Sequence, residues 1–164
     1  MMGFRAASRP ARAPATLACV RRIRWQALLG PLGSPAVDGR MIAADAAVSF
    51  RPWPLPLTDD RRVIVGKVTG GAVVDGLVLA TGEWLPGVAE AQQAAVAVAD
   101  ADDPLRPAME LCDFEAYHAD PVTLRRLIHP RDHPDPVMLF RWVVIAGVAL
   151  TRTAAFPEAR LRNV

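Results

Sequence analysis

The stretch Val63-Ile64-Val65-Gly66-Lys67-Val68-Thr69-Gly70-Gly71-Ala72-Val73-Val74-Asp75-Gly76-Leu77-Val78-Leu79-Ala80-Thr81-Gly82 decides the reading of the fold. Its valines and isoleucine favour extended backbone, because their branched Cβ fits a pleated sheet better than a helix. Asp75-Gly76 is the residue pair that a two-residue hairpin loop selects, since both positions tolerate positive φ. Gly70-Gly71 permits another tight turn. The spacing predicts a three-stranded antiparallel meander over about 61–82, with strands at Val63–Val68, Ala72–Val74 and Leu77–Leu79.

Beyond the meander the signals are helical. Residues 87–99 hold six alanines with Glu90, Gln92 and Gln93, a composition of high helix propensity. Three Asp-Pro pairs follow, Asp103-Pro104, Asp120-Pro121 and Asp135-Pro136. Asp caps the free amides of a first turn and Pro suits the first helical position, so each pair reads as a helix start. After the first, Leu105, Met109, Cys112 and Ala116 form one helical stripe, which places Cys112 in the core. After the second, Leu124, Leu127 and Ile128 share a face up to Pro130. The third opens Val137–Leu150, apolar nearly all round. Val143-Val144-Ile145 and Gly147 suit a central strand there, but the Asp-Pro start favours a buried helix.

On the N-terminal side, residues 1–14 carry Pro10 and Pro14 among Ala and Arg without apolar periodicity and read as disordered. Leu17, Val20, Ile23 and Ala27 recur at helical spacing, predicting a short helix over 15–29 that Gly30-Pro31 stops. A short helix around Ile42–Val48 follows. Arg51-Pro52-Trp53-Pro54-Leu55-Pro56-Leu57 favours polyproline geometry and reads as a rigid segment packing Trp53 and Leu55 on its own domain. The expected fold is α+β: the meander covered by three or four helices in one domain, 41–164, behind a basic, largely unstructured arm, 1–40.

Composition bounds the function. The chain has 164 residues, 52% hydrophobic and 22% charged, which suits one globular domain. Of its 19 basic residues only Lys67 is lysine, a bias that a GC-rich genome explains and that carries no functional weight. Residues 1–37 hold six arginines and no acid, whereas residues 38–164 hold 13 basic and 17 acidic residues. Such an arm can bind nucleic acid through charge; a translation start at Met41 accounts for it equally. Cys19 and Cys112 form no spacing pattern, so a reducing, cytoplasmic setting is expected. Arg141 interrupts the longest apolar run, and no membrane span is expected.

The residues that can carry chemistry gather late in the chain. His118, His129 and His133 fall within 16 positions, with Asp132 between the last two. Imidazole and carboxylate together suit Zn²⁺. Pro130 and Pro134 forbid a helix across His129 and His133, so any such site is a loop site. The alternative is a polar loop in which Asp135 caps a helix and Arg131 pairs with Asp132. Gly66-Lys67-Val68-Thr69-Gly70-Gly71 has phosphate-loop residue types in the wrong order, and its glycines read as turn formers. The leading expectation is a non-catalytic accessory or protein-binding module without a cofactor. A metal-dependent hydrolase using the His/Asp loop is one alternative, and nucleic-acid contact through residues 1–40 is another.

Overall fold

A computed structural model of the chain describes residues 22–119 and 138–164. In chain order its elements are β1 (Arg24–Pro31), β2 (Arg40–Phe50), β3 (Leu55–Thr58), β4 (Ile64–Val74), β5 (Leu77–Trp84), α1 (Ala89–Ala97), β6 (Arg106–His118), β7 (Met138–Thr151) and β8 (Arg160–Asn163). The fold is mostly β. An antiparallel meander packed on three or four helices is therefore wrong: the described residues hold one short helix, and the described stretches expected to be helical, within β1, β2, β6 and β7, are strands, while the helix expected after Asp120-Pro121 lies outside the described residues.

All eight strands belong to one sheet. β6 runs antiparallel along the whole of β7, from Arg106↔Thr151 to His118↔Met138. The other edge of β7 is shared end to end by two parallel partners, β2 over Met138–Ile145 and β3 at Val148-Ala149. From β3 the sheet continues antiparallel through β4, β5, β1 and β8. It curls until the first half of β6 lies near β1 and β8. The tail of β1 crosses to β2, where Gly33 N–H donates to Ile42 O at 2.7 Å and Pro35 bridges Met41.

The core fills the inside of this curl. Trp25, Leu57, Val65, Val68, Val78 and Ile145 are fully buried there. α1 covers one flank through Ala91 and Ala94, small side chains that let a helix approach a sheet closely. Its N-cap, Val88, offers no side-chain acceptor, so packing and not capping holds this helix.

Each mistaken helix has a physical reason. In β1 the inward residues are Trp25, Ala27 and Leu29, a period of two, and the helical spacing of Ile23 and Ala27 is coincidental. In β7 every residue but Arg141 is buried or half-buried, on both faces of the strand. A central strand then reads as a continuous apolar run, as a buried helix does. In β6, bulges shift the phase of the alternation, so apolar residues recur at three and four. Nor do Gly70-Gly71 turn the chain: β4 runs unbroken to Val74, with a register shift between Val68 and Gly70. The meander reduces to a hairpin whose loop is Asp75-Gly76, at φ 50° and 73°.

Candidate functional site

The two halves of β6 meet different surroundings. Its first half is held: Arg106 Nη1 donates to Pro157 O at 3.0 Å, and Met109 and Leu111 line an apolar cavity with Leu29, Ile42, Phe140 and Phe156. That cavity measures about 60 Å³, far below the roughly 300 Å³ at which small-molecule sites begin. The second half, Cys112–His118, is exposed except for half-buried Ala116. Among the described residues β6 pairs with β7 alone, which leaves one of its edges open.

Bulges set this geometry. Leu111 pairs with Ile145 and Asp113 with Val144, so Cys112 is an extra residue on β6. Glu115 pairs with Trp142 and Ala116 with Phe140, so Arg141 is an extra residue on β7. Each insertion bends the ladder and increases its twist, which re-aims the side chains beyond it. Phe114 meets Phe140 edge-on at 5.2 Å and remains 50% exposed, while Tyr117 is 42% exposed. Glu115 Oε2 accepts the Trp142 indole N–H at 3.0 Å, and Asp113 Oδ1 accepts the Phe114 N–H at 3.0 Å. The result, among the described residues, is an open strand edge with two aromatic side chains and two flanking carboxylates.

Of the residues read as metal ligands, His118 is the last residue of β6 and is exposed. His129, Asp132 and His133 lie outside the described residues, as does Asp135. Among the described residues no three His, Cys, Asp or Glu side chains come together as a metal-ligating group. Cys112 is not a core residue: it is an exposed free cysteine at a bulge. Phe114 and Tyr117 escape sequence reasoning, because a helix whose buried stripe is Leu105, Met109, Cys112 and Ala116 leaves both as ordinary surface residues. The available signal was the β-favouring content of Phe114 and Tyr117 themselves.

Several other polar groups and glycines serve the fold. Gly66 and Gly71 do not form turns: a Cβ at Gly71 would meet the Phe50 ring at 2.5 Å, and one at Gly66 would meet Glu83 O at 2.8 Å. Asp59 Oδ1 accepts the Arg61 and Val63 amides at 3.0 and 2.8 Å, closing the β3–β4 loop. Asp100 Oδ1 similarly accepts the Asp102 amide after α1. Trp84 is buried, its indole N–H donating to Asn163 Oδ1 at 2.8 Å. Burial alone would push the Asp38 carboxyl up, but hydrogen bonds from Arg40 and its charge outweigh that and hold it below its ordinary value of 3.8.

No family model, curated protein or solved structure matches this chain. Among the described residues no helix is long and apolar enough to cross a membrane.

Proposed function

We propose that this chain is a non-catalytic protein-binding module that takes an extended segment of a partner protein along the open edge of β6. The observation that supports this is the exposed run Cys112–His118, with a backbone edge that pairs with no other strand among the described residues and the side chains of Phe114 and Tyr117. Seven residues of strand span about 24 Å, enough to add a strand to a sheet. Covering the exposed half of Phe114 removes about 100 Å² from water, worth about 2.5 kcal/mol. Backbone hydrogen bonds would supply the remaining affinity and side-chain contacts the specificity.

Charge selects the occupant. A second copy of β6 paired antiparallel about Phe114 would set Asp113 opposite Glu115, and like charges directly opposed destabilise a ladder. A partner strand alternating apolar and basic residues meets the same edge with opposite charge.

The test is hydrogen exchange on the full chain with two extended peptides, one alternating Val and Lys, the other Val and Glu. The Val/Lys peptide is expected to slow exchange across residues 112–118, and Phe114→Ala to weaken its binding at least tenfold, roughly what losing the aromatic contact implies. Unchanged exchange with both peptides overturns the reading, as does unaltered affinity in Phe114→Ala and Tyr117→Ala.

A further inference from the structure

On the opposite arm of the sheet, the outward side chains of four neighbouring strands form a basic surface. Register places Arg24 on β1 opposite Glu83 on β5, and Glu83 opposite Lys67 on β4. One row along, Gln26 faces Thr81 on one side and Arg162 of β8 on the other, Arg162 donating to Gln26 Oε1 at 3.2 Å. Arg160 stands two residues from Arg162, opposite Leu28. Two-residue steps separate the β8 arginines by about 6.8 Å along the strand, while neighbouring strands lie about 4.8 Å apart. Arg22, just before β1, completes the set with a side chain 69% exposed.

The charge on this face is out of proportion to the molecule. The described residues hold 12 basic and 14 acidic side chains, a net of −2. Arg22, Arg24, Lys67, Arg160 and Arg162 against Glu83 give the face +4, leaving −6 on the rest. Codon usage accounts for four of these five cations being arginines; it does not explain why they share one face. Glu83 is only 16% exposed and holds Lys67 at 3.3 Å and Arg22 at 3.6 Å, so it orients two cations while cancelling one. An open depression of about 450 Å³ lies among Arg22, Arg24, Gln26, Lys67, Thr69 and Thr81. Val164 also lines it.

We infer that this outer face of β8, β1, β5 and β4 is a binding surface for the phosphate backbone of a nucleic acid. Guanidinium forks match phosphate oxygens, and the amide of Gln26 and hydroxyls of Thr69 and Thr81 add neutral donors between them. The aromatic ring nearest the face, Trp25, is fully buried, so the surface offers no platform for stacking bases. Contact is therefore with backbone and independent of sequence, which favours a duplex.

The experiment is titration of a 20-base-pair DNA duplex of arbitrary sequence with the full chain at 50–200 mM salt. About four phosphate contacts predict a slope of about −3.6 in log K against log salt, and about a hundredfold loss over that range. Lys67→Gln and the double variant Arg160→Gln with Arg162→Gln are expected to lower the slope by about one per cation removed. Glu83→Gln is expected to tighten binding, the opposite sign from any change that merely damages the sheet. Three outcomes overturn the inference: no binding at 50 mM salt, binding that these variants leave unchanged, or binding to phosphatidylserine vesicles without binding to the duplex. The first two β6 tests above are unaffected by any of them, because no residue is shared.

Discussion

Gly82 shows how little freedom some residues have. It sits opposite Trp25 in the β1–β5 ladder, and a Cβ there would collide with both the Trp25 ring and the carbonyl of Lys67. Backbone cannot yield as a flexible side chain can, so Gly82→Ala is expected to cost roughly 2–4 kcal/mol, measured as a fall in the urea midpoint. Cys112 is the opposite case. Exposed at its bulge, it should react with a thiol reagent in the folded protein nearly as fast as a model thiol. Slow labelling would return it to the core and undo the assignment of β6. Asp38 gives a pH effect of known sign. Its folded pKa lies below 3.8, so the stability it contributes is complete above the unfolded value and is lost as pH falls through the folded one. Arg40→Gln should therefore flatten the acid limb of the stability curve below about pH 4. The effect near neutrality should stay under about 1 kcal/mol, because the pair is exposed.

Elements differ in how plainly their residues announce them. The Asp75-Gly76 hairpin was legible because its loop is a local requirement: two positions with positive φ, and two residue types that tolerate them. Gly76→Ala tests this cleanly, since nothing lies within 4 Å of the added Cβ and the cost is backbone strain alone, about 1 kcal/mol. A thermal melt unchanged by that substitution would contradict the turn geometry. α1 was legible from its alanines. β6 and β7 were not, for reasons that lie outside each segment. The apolar run of β7 is compatible with helix or strand until its neighbours on both edges are known, and the phase of β6 is broken by bulges defined only against β7. The candidate site was hidden for the same reason: Phe114 and Tyr117 share an exposed strand only once β6 is paired, and the basic face exists only through the registers of β8, β1, β5 and β4.

Across the whole molecule, β7 carries three partners and connects the β2 end of the sheet to the β3–β4 end. Ile145 lies at the junction, fully buried, opposite Phe50 of β2 and Leu111 of β6, and its backbone carbonyl accepts the Arg51 amide at 3.0 Å. Truncating it leaves a void that neighbours on two strands must collapse into at once, which continuous pairing on both edges resists. Ile145→Ala is therefore expected to cost about 3–4 kcal/mol. At the far tip of the β4–β5 hairpin, Val73 is 41% exposed, and Val73→Ala should cost less than about 0.5 kcal/mol. If one sheet and one core make one cooperative unit, both variants should shift the urea midpoint without changing the slope of the transition. A second transition in Ile145→Ala, or a reduced slope, would mean that the β2–β6–β7 end unfolds separately from the β4–β5–β1–β8 arm. The two proposed binding surfaces sit on those two parts, so that outcome would also make them independently folding parts of a single chain.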